Sequence, residues 1–167
     1  KKVVYDCISA LERENLAHHP QPFIGILVEL PSIVEIIDDI AVKADFLAIG
    51  TNDFVQYMLA VDRSNEQVAE YYKPYHPSVL RALNKIVKAA IQQKTNISVC
   101  GEMAHQAEYI PFLTGIGIRS LSVYPKFLPE VQRFLSGMRI SDAEFTDKRL
   151  LSETTINGVQ AVLKRET

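Results

Sequence analysis

Short apolar runs alternate with amphipathic segments along most of this chain. Residues 23–28 read FIGILV and residues 46–49 read FLAI, and continuous apolar runs of this length are typical of strands buried in a parallel sheet. Residues 97–99 (ISV) and 120–124 (SLSVY) are two further short stretches, in which apolar residues are mixed with serine, that we also interpret as strands. The pattern therefore predicts a strand at each of these places.

The segments between and after these runs have apolar residues at helical spacing. It is clearest over residues 78–93, where apolar residues form one stripe and Arg81, Lys85 and Lys88 lie on the opposite face. We also predict helices over residues 3–17, 32–43, 54–61, 64–73, 107–113 and 127–135. In the helix predicted over residues 32–43, which follows Pro31, the buried stripe would consist of Ile33, Ile36, Ile37 and Ile40.

The alternation of strands and helices predicts an α/β fold with a parallel sheet. A closed (β/α)8 barrel of the TIM type needs roughly 250 residues, whereas this chain has 167 residues and four such units. We therefore predict that residues 1–137 form the carboxyl-terminal half of such a barrel, its fifth to eighth strands, and that residues 138–167 form a helical tail. Because half a barrel has unpaired strand edges, we expect either a homodimer or a longer chain, which the start at Lys1 also suggests.

Composition narrows the class of protein. A net charge of −2 and an isoelectric point near 6.1 provide no basic face and argue against nucleic acid as a partner. No apolar run approaches the length of a membrane span, and no targeting segment is visible, so we expect a cytoplasmic protein. Cys7 and Cys100 lie far apart and do not indicate a disulfide, and His18 and His19 are expected to be exposed rather than metal ligands.

Residues with catalytic potential follow three of the predicted strands. Glu29 follows the first strand, Asn52 and Asp53 follow the second, and Cys100 follows the third. The carboxyl ends of parallel strands meet at one edge of the sheet, which is the active-site face of a barrel. A carboxylate at the end of a buried strand is costly unless it is paired or binds a cation. This edge is therefore the predicted site.

The residue types at this edge suggest particular ligands. Two carboxylates and an amide, together with Arg63 after the helix predicted over residues 54–61, favour a divalent cation with oxygen ligands beside a phosphate or carboxylate. Mg²⁺ is the natural candidate because it takes few protein carboxylates and shares its coordination shell with phosphate oxygens. The Cys100 thiol could donate or accept a proton.

Simpler interpretations of the same residues remain open. Asn52 could cap the following helix, and Asp62 and Arg63 could form an exposed ion pair that contributes little to stability. Glu29 could be satisfied by a buried ion pair, and Cys100 could be an inert small apolar residue.

Four motifs resemble one known family. GILVELPS at residues 25–32, DFLAIGTNDFVQYMLAVDR at 45–63, YKPYHPSVLR at 72–81 and VCGEMA at 99–104 are similar to the carboxyl-terminal barrel of enzyme I, the phosphoenolpyruvate-protein phosphotransferase of the bacterial phosphotransferase system. The resemblance covers residues 23 to about 136. The sequence YMLAVDRSN at residues 57–65 is closer to the nitrogen-related paralogue than to the sugar-transport enzyme.

The resemblance implies a role for each residue of the predicted site. Glu29 and Asp53 would bind Mg²⁺, Asn52 would contact the phosphate of phosphoenolpyruvate, and Arg63 would clamp that phosphate. Cys100 would protonate the enolate carbon as pyruvate forms. In the family, the phosphoryl group passes to a histidine on an amino-terminal domain and then to a histidine-containing phosphocarrier protein, and the carboxyl-terminal barrels resemble dimerisation domains.

Departures from the family leave alternatives open. The histidine domain and two further phosphate-binding arginines of the family are not in this sequence, so we expect the chain to be inactive alone. The last strand reads SVYPKF, where the family more usually has a Ser-Met-Ser-like run. A relative of phosphoenolpyruvate synthase or pyruvate phosphate dikinase, and a regulatory or dimerisation module, are the alternative functions.

Overall fold

A computed structural model describes residues 1–166 of the chain, and its centre is a parallel sheet. The four strands lie in the order β1-β2-β3-β4, which is also their order along the chain. Their bounds are Ile26–Val28 for β1, Phe46–Gly50 for β2, Asn96–Cys100 for β3 and Leu121–Ser122 for β4. All three pairings are parallel, as the alternation of strands and helices predicts.

Helices connect the strands and extend beyond them. They are α1 Lys2–Arg13, α2 Ile37–Lys43, α3 Thr51–Leu59, α4 Pro77–Gln92, α5 Ile110–Gly115, α6 Leu128–Gly137, α7 Ile140–Ser152 and α8 Ile156–Glu166. Short 3₁₀ helices occupy Pro31–Glu35, Ala69–Tyr71, Glu102–Ala104 and Pro125–Phe127. Helix α4 starts and ends within one residue of its predicted bounds, and Arg81, Lys85 and Lys88 are exposed as expected.

The two faces of the sheet have different surroundings. Val28, Leu47, Ile49 and Val99 are fully buried on the face that packs into the core with residues of α4. On the other face, Leu27 is 52% exposed and Phe46 is 41% exposed. The sheet is therefore covered by helices on one face and open on the other within residues 1–166.

The helix predicted over residues 32–43 is wrong as a single element. A 3₁₀ helix over Pro31–Glu35 precedes α2, and Ile36 lies at the junction with φ −120° and ψ 18°. A 3₁₀ helix has three residues per turn rather than 3.6, so the apolar stripe changes its direction at the junction. Ile37 is consequently buried, whereas Ile36 is 52% exposed.

The helix predicted over residues 64–73 is also wrong, apart from the turn Ala69–Tyr71. The Asp62 carboxylate accepts hydrogen bonds from the backbone and side chain of Ser64, and the Asn65 side chain accepts one from the backbone of Gln67. Such bonds from short polar side chains hold the backbone in turns and compete with helix formation.

Helices α7 and α8 pack onto the rest of the fold. Leu150 of α7 and Val159, Val162 and Leu163 of α8 are buried and belong to the same core cluster as the sheet. Gly115 of α5 lies so close to α7 that an added side-chain carbon would collide with the backbone carbonyl group of Ala143. None of the helices within residues 1–166 is both long enough and apolar enough to cross a lipid bilayer.

Candidate functional site

A cavity lies at the carboxyl ends of β2, β3 and β4. The register places Gly50, Cys100 and Ser122 side by side at the last positions of these strands. The cavity has a volume of about 500 Å³ and is lined by Asn52, Arg63, Cys100, Gly101, Glu102, His105, Ser122, Val123, Tyr124 and Pro125. Three of the predicted site residues, Asn52, Arg63 and Cys100, therefore line one cavity.

Two hydrogen bonds join the turn after β2 to the turn after β3. The Thr51 hydroxyl donates to the carbonyl oxygen of Cys100 over 2.9 Å, and Asn52 Oδ1 accepts from the backbone N–H of Glu102, also over 2.9 Å. Gly101 lies between these two bonds with φ 98°, a conformation that favours glycine. An added side-chain carbon there would be 2.9 Å from Asn52 Oδ1 and would collide with the Thr51 hydroxyl.

Arg63 reaches the cavity from the turn that follows α3. Its backbone N–H donates to Gln56 Oε1 over 3.3 Å, and its Nη1 donates to Glu102 Oε1 over 3.0 Å. Both charged side chains are partly exposed, at 39% for Arg63 and 49% for Glu102. Arg63 is therefore paired with Glu102, and the simpler interpretation that it pairs with Asp62 is wrong, since Asp62 instead bonds to Ser64.

The surroundings of Cys100 favour the protonated thiol. Partial burial raises the pKa of Cys100, the negative charge of Glu29 raises it further, and a backbone hydrogen bond opposes both. The Sγ atom donates to the carbonyl oxygen of Ile49 over 3.4 Å. A thiol with a raised pKa stays neutral at physiological pH and is suited to donating a proton rather than to acting as a thiolate nucleophile.

The two predicted metal ligands flank the cavity rather than line it. Glu29 follows β1 directly, and its side chain lies over Gly50, where an added side-chain carbon would be 2.6 Å from Glu29 Oε1. Asp53 is half-buried in the first turn of α3. Within residues 1–166 no group of three or more His, Cys, Asp or Glu side chains could hold a metal ion.

Tyr72 packs beside these groups and supports Asn52. Its hydroxyl donates to the backbone carbonyl oxygen of Asn52 over 3.2 Å. Burial raises the pKa of Tyr72 to about 12, and the charges of Glu102 and Asp53 add to this effect while Arg63 opposes it. Tyr72 is therefore a neutral hydrogen-bond donor.

The structure also decides two other simple interpretations. Asn52 does not cap α3, because the capping residue is Gly50 without a side-chain cap bond and Asn52 Oδ1 is bonded to Glu102. The expectation that His18 is exposed is wrong, because its side chain is only 17% exposed and its Nδ1 bonds to the carbonyl oxygen of Leu16 over 2.8 Å, whereas His19 is exposed as expected.

Sequence reasoning missed the part that Glu102 and His105 take in this cavity. Glu102 follows the predicted strand over residues 97–99 after two intervening residues, so the argument from carboxylates near strand ends could have found it. His105 stacks on Phe127 with ring centroids 3.9 Å apart and an interplanar angle of 5°. That contact joins segments distant in sequence and has no local signal.

Comparison with known proteins finds one family model and several relatives that match most of the chain. Residues 1–140 match the family described as PEP-utilising enzyme, PEP-binding domain. The chain is 41% identical over 137 residues to a multiphosphoryl transfer protein of Escherichia coli, an alignment that covers 82% of this chain and 16% of the relative. It is 36% identical over 141 residues to the phosphoenolpyruvate-protein phosphotransferase of Bacillus subtilis, covering 84% of this chain and 25% of that relative.

A similar protein of Lactococcus lactis subsp. lactis, also named phosphoenolpyruvate-protein phosphotransferase, is 35% identical over 145 residues, covering 86% of this chain and 25% of the relative. The chain thus spans a quarter or less of the length of these curated relatives. The resemblance inferred from the four motifs is confirmed.

Proposed function

This chain belongs to the phosphoenolpyruvate-utilising enzymes, in which it matches the phosphoenolpyruvate-binding domain, and we propose that it is part of a phosphoenolpyruvate-protein phosphotransferase. The whole enzyme would take the phosphoryl group from phosphoenolpyruvate in a Mg²⁺-dependent reaction. It would pass that group through a histidine in another part of the enzyme to a phosphocarrier protein and release pyruvate. The chain by itself is expected to contribute the substrate site without the phosphoryl acceptor.

The observation that carries this proposal is the composition of the cavity. Asn52 and Arg63 provide an amide and a guanidinium group, and Cys100 provides a neutral thiol on the same lining. Guanidinium groups bind phosphate with two parallel hydrogen bonds, and amide N–H groups add directional donors. A cavity of about 500 Å³ is within the size range of small-molecule sites and is larger than phosphoenolpyruvate requires.

The chemistry assigns one step to Cys100. When the bond between phosphorus and the enol oxygen breaks and phosphorus bonds to the histidine nitrogen, the enolate of pyruvate remains. Its methylene carbon then takes the proton of the Cys100 thiol, and water returns a proton to the thiolate. The raised pKa of Cys100 supports this role, because the thiol must carry its proton when the enolate forms. Arg63 would stabilise negative charge on the transferring group.

Glu29 and Asp53 are the residues that would hold Mg²⁺. Carboxylate oxygens are the donors that Mg²⁺ prefers, and it commonly takes one or two of them together with substrate phosphate oxygens. The absence of a side chain at Gly50, which pairs in register with Cys100, leaves room for the Glu29 carboxylate. A Mg²⁺ ion held by these carboxylates would offset negative charge on the phosphoryl group. The donor set of this edge fits that ion.

The open face of the sheet supports the larger architecture. Leu27 and Phe46 are partly exposed on the face opposite to the helices, as the inner face of a barrel would be before its other strands close over it. We place residues 1–137 in the second half of a (β/α)8 barrel, with residues 138–167 as a carboxyl-terminal extension. The enzyme would be a cytoplasmic homodimer, serving either the sugar or the nitrogen branch of the phosphotransferase system.

Calorimetric titration with phosphoenolpyruvate, with and without Mg²⁺, tests the proposed site. We expect heat that depends on Mg²⁺, that is lost in Asp53→Ala and that is retained in Asp6→Ala, a control at an exposed carboxylate of α1. Equal heats with and without Mg²⁺, or the same heat in Asp53→Ala as in the unsubstituted chain, would contradict the assignment of these residues.

A second measurement distinguishes a catalytic domain from a module that serves only regulation or dimerisation. Incubation with pyruvate and Mg²⁺ in D₂O tests the reverse of this step. The Cys100 thiolate would remove a proton from the methyl carbon of pyruvate to form the enolate, and the thiol, after exchange with D₂O, would return deuterium to that carbon. Replacing Cys100 by Ala should slow the incorporation by about 10²-fold or more. A module that serves only regulation or dimerisation would show no difference between the two proteins.

A further inference from the structure

One residue contacts both of the groups proposed to bind phosphate. The backbone N–H of Glu102 donates to Asn52 Oδ1 over 2.9 Å, and the Glu102 carboxylate accepts from Arg63 Nη1 over 3.0 Å. All three residues line the cavity beside Cys100.

The bond to Asn52 decides which way its side-chain amide faces. An asparagine side chain has an accepting oxygen and a donating NH₂ group. Because the oxygen takes the Glu102 N–H, the NH₂ group is the part that remains for a ligand. A reversed amide would place NH₂ against another N–H donor and lose the bond. The backbone of Glu102 therefore makes Asn52 a donor toward the cavity.

The hydrogen bond to Glu102 orders the Arg63 side chain, which is otherwise exposed on its turn. Arg63 lies in a turn, and only its backbone is tied to α3, through Gln56. A guanidinium group has five N–H donors, and the bond to Glu102 uses one of them. The others remain for an anion. Long side chains of this kind otherwise lose rotamer freedom when a ligand binds.

The backbone of Glu102 is held in place by its neighbours. Gly101 adopts φ 98° in close contact with Thr51 and Asn52, and the backbone N–H of Ala104 donates to the Gly101 carbonyl oxygen over 3.2 Å. Met103 and Ala104 are buried in the turn that follows. Glu102, whose backbone is anchored, thus supports the Arg63 guanidinium group on a more exposed turn. Supporting residues preorganise binding sites in this way.

We propose that Glu102 is a positioning residue of the anion site, which orients Asn52 through its backbone N–H and Arg63 through its carboxylate without contacting the ligand. This inference rests on the proposed function, since it takes Asn52 and Arg63 as the phosphate-binding groups. It assigns a function to the glutamate of the Cys-Gly-Glu sequence that the proposed reaction does not use.

Removal of the Glu102 side chain has two opposing effects on phosphate binding. Whether the dissociation constant rises or falls therefore decides whether Glu102 positions Arg63. Without the carboxylate, Arg63 must be ordered by the ligand, which weakens binding, but a negative charge near the anion is also removed, which strengthens it. Positioning requires the first effect to be larger. We expect the dissociation constant for inorganic phosphate to rise about 3- to 10-fold in Glu102→Ala.

The test uses inorganic phosphate titrated into the chain by calorimetry. Glu102→Gln should bind more tightly than Glu102→Ala, because its side-chain oxygen still accepts a hydrogen bond from Arg63. Glu66→Ala removes an exposed carboxylate outside the cavity lining and should leave the dissociation constant unchanged. Unfolding midpoints are measured for every variant, and the interpretation requires them to agree with that of the unsubstituted chain.

A spectroscopic readout isolates the positioning role. The ¹⁵N relaxation of the Arg63 Nε–H group should report an ordered side chain in the unsubstituted protein and in Glu102→Gln, and a mobile one in Glu102→Ala, before any phosphate is added. A purely structural role of Glu102 in the turn would not change the mobility of Arg63 selectively.

The outcomes separate the two proposals. If phosphate binds and Arg63→Gln abolishes binding, but Glu102→Ala binds equally or more tightly, the positioning role is wrong and the proposed site stands. If Arg63→Gln leaves phosphate binding unchanged, or if phosphate does not bind, the assignment of Arg63 as the phosphate clamp fails and the role of Glu102 fails with it.

Discussion

The buried hydroxyl of Thr51 donates a hydrogen bond of 2.9 Å to the backbone carbonyl oxygen of Cys100. The first residue of α3 is thereby tied to the last residue of β3, next to the position where Cys100 pairs in register with Gly50. Thr51 has no proposed chemical role, yet it helps to hold the residue that would donate the proton.

Replacing Thr51 by Val removes the donor while nearly keeping the shape of the side chain. We expect the free energy of unfolding to fall by about 1–3 kcal/mol, because a buried polar group loses its partner. Urea denaturation followed by circular dichroism measures this change. Thr51→Ser retains the hydroxyl and should recover part of the loss. If Thr51→Val were as stable as the unsubstituted protein, the bond to Cys100 would not contribute to stability.

Replacing Gly101 by Ala should disrupt the turn after β3. The backbone there has φ 98°, and the added carbon would collide with Thr51 and approach Asn52 Oδ1 to 2.9 Å. We expect a loss of about 1–3 kcal/mol in the free energy of unfolding together with weaker phosphate binding. Gly137→Ala is the matched control, because an added carbon there meets nothing within 4 Å. Equal stability of the two variants would contradict strain at Gly101.

The pH dependence of Cys100 alkylation should respond to Glu29. In a Cys7→Ser background Cys100 is the single thiol, since the chain has two cysteines. Burial and the charge of Glu29 raise the pKa of Cys100, so iodoacetamide should react at half its maximal rate above pH 8.5, the approximate value for an unperturbed cysteine. Glu29→Gln removes a negative charge that opposes the thiolate and should move this midpoint to lower pH.

The control for that measurement is the exposed Cys7. In a Cys100→Ser background, the alkylation profile of Cys7 should be the same with Glu29 and with Gln at that position. A midpoint for Cys100 that does not move in Glu29→Gln would show that Glu29 does not act on the thiol.

Replacing Leu150 by Ala tests whether α7 is part of the cooperative fold. Leu150 is 1% exposed and lies in the core cluster, so truncation should lower the free energy of unfolding by about 2–5 kcal/mol. Leu128 of α6 is 45% exposed, and Leu128→Ala should cost clearly less. Both are measured by urea denaturation with a single transition expected. A separate transition for residues 138–167 would indicate an independent tail.

The local pattern of apolar residues was sufficient to predict the strands and helices that are buried along one regular face. The run at residues 46–49 and the stripe at residues 78–93 predicted β2 and α4 closely, because burial imposes a period that is visible in the sequence itself. Parallel strands also place their carboxyl ends together, so the convergence of Asn52 and Cys100 on one edge could be predicted without knowledge of the contacts. The boundary at residue 137 remains a prediction.

The sequence by itself determined the alternation of strands and helices, the edge at which Asn52 and Cys100 meet and the family to which the chain belongs. Only the tertiary structure decided that Arg63 pairs with Glu102, 39 residues further along the chain, and that Asn52 turns its oxygen toward the Glu102 backbone rather than capping α3. Periodicity reports the average environment of neighbouring residues. A hydrogen bond between two turns depends on the strand register that aligns them and on the positive φ of Gly101, and neither of these is encoded in a local pattern.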